Sequence, residues 1–456
     1  MRITRCRQPA KETNMRNQKI IALAGVTVLA AALAACGGGD DGGSGGDGKT
    51  LDVLIGANTQ YPEEFQAWQK SISDKFKAQT GATVKFEQFA SANDELTKIQ
   101  TSVVAGSGPD VYAVGTTMTP TAYSTGAFVK MGDSEWQKIG GKDKFNPATL
   151  GISGPDENNL VGIPWVSRPF VMAYNTDLLK AAGIDKPATT WDELRDQAKK
   201  MTHGDQYGLA VAYKDNFDPW KFVWGMSVQA GNPLVDGKTA KLQDPTVQKA
   251  YETYFGWLTT DKIVDPAAVG WTNPQALASF AKGKTGYFAL TTSTATNSLE
   301  QGAVKGKWAF ALLPTVPPGA TSRPANGVEA ASILSGDNLL VADYSKNKDL
   351  AFQYVKLVTD PDVQLDYYQK FGNLPANASA LQTLSSDQRL GPVTEAAKKS
   401  VATPFTGAWS DIQLALTNVA VQSLPDLAKG SLSAQQIDSR IATAQKSAQS
   451  SLDRAK

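Results

Sequence analysis

LDVLIGANTQYPEEFQAWQKSISDKFKAQTGATVKFEQFASANDELTKIQTSVVAGSGPDVYAVGTT, residues 51–117, is the stretch that decides the fold class. Leu51–Ile55 is a short apolar run and reads as a buried strand. From Glu63 to Gln79 the apolar Phe65, Trp68, Ile72 and Phe76 recur at helical spacing, and Thr80-Gly81 ends the pattern. Thr83–Phe89 returns as a strand and Asn93–Val104 as a second helix, broken at Gly106-Ser107-Gly108-Pro109. Asp110–Val114 is the third strand. A β-α-β-α-β order predicts an α/β fold with a mainly parallel sheet flanked by helices. Ligands of such sheets bind at the carboxyl ends of the strands. Those ends carry Gly56-Ala57-Asn58-Thr59 and Gly115-Thr116-Thr117.

Beyond this stretch the alternation continues, and a second unit begins around Pro164. Val171–Asn175 reads as a strand, and Thr190-Trp191-Asp192-Glu193 is a capping box that opens a helix reaching Met201. Helical patterns recur at Thr246–Leu258, Asn273–Lys282 and Asp349–Phe371, with a strand at Gly286–Leu290. Pro314, Pro317 and Pro318 mark a bend that suits a return crossing, and Leu432–Ala455 is an alanine-rich amphipathic helix. The chain contains no internal repeat.

Upstream, Arg16 and Lys19 precede an apolar run from Ile20 to Ala35 that ends in Leu33-Ala34-Ala35-Cys36. A basic segment, an apolar segment and small residues before a cleavage point read as a signal peptide over 1–35, with Met15 a second candidate start. The tetrad resembles a bacterial lipobox, which implies that Cys36 is lipidated and becomes the first mature residue. Residues 36–50 are then a glycine-rich tether of roughly 20 Å root-mean-square span.

Cys6 and Cys36 are the two cysteines, so the globular part holds no disulfide framework and no thiolate metal site. Lysine and arginine number 45 against 44 aspartates and glutamates, a balance with no basic face for nucleic acid. His203 is the single histidine and lies in a polar turn, which leaves a hydrolytic triad or histidine metal site without partners. A cell-surface glycoside hydrolase remains open, because its two carboxylates meet only in space.

Several segments together resemble the family-1 extracellular solute-binding proteins of maltose and trehalose type. They are Phe76–Val84 (FKAQTGATV), Ala105–Val111 (AGSGPDV), Gly162–Trp165 (GIPW), Met172–Gly183 (MAYNTDLLKAAG) and Thr190–Leu194 (TWDEL). Phe280–Gly286 (FAKGKTG), Leu313–Thr315 (LPT) and Ser345–Ala351 (SKNKDLA) follow in the same order. The resemblance implies a two-lobe periplasmic-binding-protein fold of type II-like form, with ligand in the interlobe cleft. It implies residues 51–163 plus about 318–362 as lobe 1, and about 164–317 plus 363–456 as lobe 2. Hinges are expected near Pro164–Ser167, Pro314–Pro318 and Thr359–Asp362. It further implies the capture subunit of an ABC importer. Such a protein is monomeric and free of cofactors, takes a neutral mono- or oligosaccharide, and delivers it to permease subunits. An acidic sugar, a sugar phosphate or another polyol is the alternative ligand.

The same resemblance directs attention to particular side chains. Sugar binding uses flat apolar faces and planar polar groups, and ten tryptophans are available. Trp220 and Trp409 match ligand-stacking aromatics of similar proteins and are expected to form the floor of the cleft. Trp224, one helical turn after Trp220, and Trp165, after the hinge proline, are further candidates. Asn58 ends the first strand, Thr117 ends the third, and Arg168 stands where relatives place a polar contact. Ser293 lies with Thr292 in a loop where relatives can carry tryptophan. Asp337 follows Ser335-Gly336 in a loop that often lines the cleft.

Overall fold

Ser91 ends a strand and opens a helix because its Oγ accepts the N–H of Asp94 at 3.1 Å. Such local signals place the first elements: β1 (Thr50–Gly56), α1 (Pro62–Thr80), β2 (Thr83–Phe89), α2 (Ala92–Ala105) and β3 (Val111–Gly115). Pro62 sits in the first turn of α1, where its missing N–H costs nothing, and Gly81 closes the helix at φ 76°. The computed structural model describes residues 49–455. The expected signal peptide, the alternative start Met15, the expected anchor at Cys36 and the expected tether through residue 48 lie outside these residues.

The chain continues through β4 (Ile163–Ser167), β5 (Val171–Asn175), α3 (Trp191–Met201) and β6 (Tyr207–Ala210). Next come α4 (Pro219–Gln229), α5 (Pro245–Thr259), α6 (Asn273–Ala281), β7 (Thr285–Thr291) and β8 (Trp308–Ala311). The last long elements are β9 (Gly336–Val341), α7 (Lys348–Val358), α8 (Pro361–Phe371), β10 (Leu374–Pro375), α9 (Trp409–Ala428) and α10 (Ala434–Arg454). The capping box of α3 is formed, with Glu193 N–H donating to Thr190 Oγ1 at 3.0 Å and Glu193 Oε2 accepting from Thr190 N–H at 3.3 Å.

Two sheets organise two lobes. The first has six strands in the order β10-β4-β9-β3-β1-β2, and the second has four in the order β8-β5-β7-β6. β1 runs parallel to β2 and to β3, as the β-α-β-α-β order requires. The sheets as wholes are mixed rather than mainly parallel. β9 is antiparallel to β3 and β4, β10 to β4, and β5 to β7 and β8, whereas β6 is parallel to β7. A helix crossing over one face returns the chain in the same direction, but a strand arriving from the other lobe can enter either way.

That arrangement also shifts the lobe boundaries. β4 and β10 join the first sheet, and Val363, Tyr367 and Phe371 of α8 pack in its core, although all were expected in the second lobe. Conversely, Ala330 and Ile333, expected in the first lobe, belong to the core of the second. The chain therefore crosses at Arg168–Phe170, again between Ile333 and Gly336, and a third time between β10 and α9, not at Pro314–Pro318 or Thr359–Asp362. Prolines signal a bend, and the bend here lies within one lobe.

Candidate ligand-binding cleft

A cleft of about 340 Å³ opens between the lobes, at the carboxyl ends of β1 and β3. The first lobe contributes the Gly56–Tyr61 loop, Glu95 of α2, Gly115–Thr117, and Ser335–Asp337 at the start of β9. The second lobe contributes Asp215 and Phe217–Lys221 at the start of α4, Asn273 and Pro274, and the end of β7. There Leu290 adopts φ 61°, a left-handed conformation that bulky side chains avoid, beside a register shift of β7 against β5. Thr291 and Thr292 follow it along the cleft wall.

Six of the nine candidate ligand residues line this space: Asn58, Thr117, Trp165, Arg168, Trp220 and Asp337. Asn58 Oδ1 accepts the N–H groups of Gln60 and Tyr61 at 3.1 and 2.9 Å, which shapes the turn into α1. Its amide nitrogen makes no hydrogen bond among the described residues. Trp165 presents only an edge, since its ring packs on Tyr367 at 5.0 Å and on Trp68 at 6.0 Å.

The remaining three are placed elsewhere. Trp409 is 0% exposed, does not border the cleft, and meets Trp220 edge-on at 5.8 Å within the second-lobe core. Trp224 is buried in the same core and faces a small interior pocket instead. Ser293 is buried and donates to Gly372 O at 2.6 Å, while its neighbours Thr292 and Thr294 face the cleft. Trp220 borders the cleft yet is only 1% exposed, so the expected pair of stacking tryptophans is a core pair touching the site at one point. The exposed aromatic is Phe217, 36% accessible, one residue ahead of Asp218-Pro219. It lies in the segment that singled out Trp220, but tryptophan's larger face drew the reading away from it.

Arg168 and Asp337 point at one another. Arg168 Nη1 donates to Asp337 Oδ2 at 2.6 Å, Nη2 donates to Oδ1, and the same guanidinium reaches Asn373 Oδ1 at 3.4 Å and Gly336 O at 3.3 Å. A planar fork engaged on both prongs has no pair of donors left for an incoming anion. Across the cleft, Lys221 Nζ donates to Asp218 Oδ1 at 2.6 Å and stands 4.6 Å from the centre of the Phe170 ring. Asn273 Nδ2 donates to Asp218 Oδ2 at 2.8 Å, and its backbone N–H donates to Asp215 Oδ2 at 3.1 Å. Burial, reinforced by the charge of Asp218, raises the Asp215 carboxyl to about 6. The sequence reading missed Glu95, Asp215, Asp218, Lys221 and Asn273. Each is a polar residue on a helix or turn, with nothing local to separate it from a solvated one.

The start of β9 tolerates little. A Cβ on Gly336 would lie 2.0 Å from Val166 O on the paired strand β4. Gly336→Ala is expected to push β9 away, lower stability by about 1–3 kcal/mol as overpacking does, and disturb Asp337. Urea unfolding together with ligand titration checks this.

The lobes also touch beside the cleft. Gln60 Nε2 donates to Thr294 O at 3.1 Å, and Tyr61 Oη donates to the same oxygen at 3.0 Å. No group of three or more acidic, histidine or cysteine side chains suited to a metal occurs among the described residues.

The sequence pattern described as bacterial extracellular solute-binding protein matches residues 71–398. The diacetylchitobiose-binding protein DasA of Streptomyces coelicolor is 28% identical over 408 residues, covering 86% of this chain and 89% of that protein. The maltodextrin-binding protein MdxE of Bacillus subtilis is 21% identical, with 85% and 87% covered. Among solved structures, an ABC transporter solute-binding protein of Thermotoga lettingae bound to α-D-tagatose superposes with a TM-score of 0.72 at 21% identity. That match covers 89% of this chain and all of that one. A cleft walled by two lobes, in a chain matched over most of its length, makes this protein a member of the bacterial extracellular solute-binding protein family.

Proposed function

We propose that the chain captures an uncharged carbohydrate in the interlobe cleft and delivers it to the permease of an ABC importer. It binds its solute without altering it. The observation that carries this reading is the state of the cations lining the cleft, Arg168 and Lys221. Both are engaged by aspartates, and Asp215 adds further negative charge. What remains on offer is amide, hydroxyl and carboxyl groups beside the exposed ring of Phe217, which suits hydroxyl groups and the C–H face of a sugar. DasA and MdxE, whose names give diacetylchitobiose and maltodextrin as ligands, support the carbohydrate class. Ligand touching both lobes favours the closed form, since a ligand shifts a conformational equilibrium by its differential affinity.

A thermal-shift panel of diacetylchitobiose, maltose, tagatose, ribitol and glucose 6-phosphate tests this. A sugar present at a hundredfold excess over its Kd stabilises the protein by about 2.7 kcal/mol. The expected result is a raised melting temperature with one or more neutral members and unchanged sugar recovered afterwards. A shift with glucose 6-phosphate alone overturns the neutral-ligand reading, and a shortened sugar overturns binding without catalysis.

The reading includes a lipid anchor at Cys36, a monomer as the working unit, and a place outside the cytoplasm. Cys36→Ser is expected to move the protein from the membrane fraction to the soluble extracytoplasmic fraction, because one or more acyl chains supply the membrane affinity. Retention in the membrane after a high-salt wash would contradict it.

A further inference from the structure

We propose that Glu95 is a ligand-contacting residue whose carboxyl donates a hydrogen bond to an uncharged, hydroxyl-bearing solute, and that capture therefore weakens in alkaline solution. The inference rests on the carbohydrate reading and names one of its contacts and the regulation of that contact.

Glu95 stands on the first turn of α2, 5% exposed, at the inner wall of the cleft. Its Oε1 accepts the N–H of Gly115 at 3.0 Å, which ties the side chain to the end of β3. Its Oε2 has no hydrogen-bond partner among the described residues. That oxygen keeps access to the cleft, where water or a solute can pair with it, whereas a polar atom shut off from both would be costly. The open space beside Glu95 is the cleft, so the missing partner comes from whatever fills it.

The surrounding charges fix the role. Facing Glu95 are Asp337 on β9 and Arg168 after β4, which are occupied with each other, and Tyr367 of α8 packs near that pair. On α2 itself, Asp94 accepts the N–H of Ala90 and Lys98 pairs with Glu87 of β2. Arg168 counters only weakly, and among the described residues no unpaired cation faces Glu95 to hold it as a carboxylate. Burial dominates, the charge of Asp337 adds to it, and the carboxyl is pushed up to about 8. At neutral pH the side chain is mostly protonated: Oε1 accepts from Gly115 while Oε2–H is available as a donor. A ligand hydroxyl can accept that proton, and a ligand ammonium gains nothing from it. Once ionised, Glu95 only accepts, and its charge is buried near Asp337.

The sign of the pH effect follows. A carboxyl whose folded value lies above its unfolded value favours the folded, protonated form at low pH, and that preference is lost as pH rises through about 8. If only the protonated form binds, affinity falls about tenfold for each pH unit above that point. Wild type, Glu95→Gln and Glu95→Ala are titrated calorimetrically with diacetylchitobiose, maltose, tagatose and ribitol at pH 6.5 and 9.5, and the ligand-free proteins are melted to confirm folding.

The expected result is a drop of at least tenfold in wild-type affinity between the two pH values. Glu95→Gln keeps both a donor and an acceptor, so it binds similarly at both. Glu95→Ala binds at least tenfold more weakly at pH 6.5. Wild-type binding to none of the four at either pH overturns both this inference and the carbohydrate reading. A sugar that binds wild type and Glu95→Ala equally, or a pH drop that persists in Glu95→Gln, overturns this inference alone.

Discussion

Trp409→Ala is expected to lower the stability of the ligand-free protein by about 3–5 kcal/mol, the range for truncating a buried aromatic. Trp409 opens α9, is fully buried, and packs against Trp220 in a core that also holds Trp191, Trp224 and Trp257. Its indole N–H has no partner among the described residues, so the loss is almost wholly one of packing and burial. Interiors are packed to crystal-like density, and the surrounding helices cannot collapse far enough to fill the volume of an indole. Trp220→Ala removes a comparable volume but opens it toward the cleft, where water can enter. It is expected to cost less stability than Trp409→Ala and to weaken sugar binding. The rings are in contact, so the double variant should lose less than the two single losses together. Urea unfolding of each apo protein, paired with sugar titration, decides the matter. A Trp409→Ala protein with an unmoved unfolding midpoint and greatly reduced affinity would return Trp409 to the cleft.

Arg168→Ala is expected to cost about 3 kcal/mol of stability, the low end for breaking a buried ion pair by removing one partner. The low end applies because 28% of the Arg168 side chain and 17% of that of Asp337 still reach water. The removal strands Asp337 beside Glu95, so the carboxyl of Glu95 should be driven higher still. Removing both partners, in Arg168→Ala with Asp337→Ala, is expected to recover part of the loss, since no unpaired charge then remains. Arg168→Lys keeps the charge without the two-pronged geometry and should fall between. Unfolding midpoints of wild type, Arg168→Ala, Asp337→Ala and the double variant form a double-mutant cycle. An Arg168→Ala protein as stable as wild type, with ligand affinity abolished, would show that Arg168 serves the ligand rather than Asp337.

Much of the fold was legible along the chain. The stripe Phe65, Trp68, Ile72 and Phe76 marks α1, and all four are buried in the first-lobe core. Thr190 and Glu193 announce α3 and make the predicted reciprocal bonds. Asn58 and Thr117 reach the cleft because strand ends of a parallel run all open on the same side. These readings succeed because their causes lie within a few residues of each other.

What the sequence by itself determined is therefore the first five elements and several later helices and strands, the parallel β1–β2 and β1–β3 pairs, and the strand ends at which the cleft opens. Tertiary structure alone decided that every other strand pair of the two sheets except β6–β7 runs antiparallel, that α8 belongs to the first lobe, and which candidates reach the cleft. Trp220 and Trp409 are 189 positions apart, and which one borders solvent depends on how α4 and α9 pack, not on either neighbourhood. Arg168 and Asp337 look alike in sequence as two free charged groups, and they cancel only because β4 and β9 are neighbours in one sheet. Burial and charge pairing are sums over whatever the fold brings near. A residue's own segment supplies only a few terms of either sum, and the elements packed against it supply the rest.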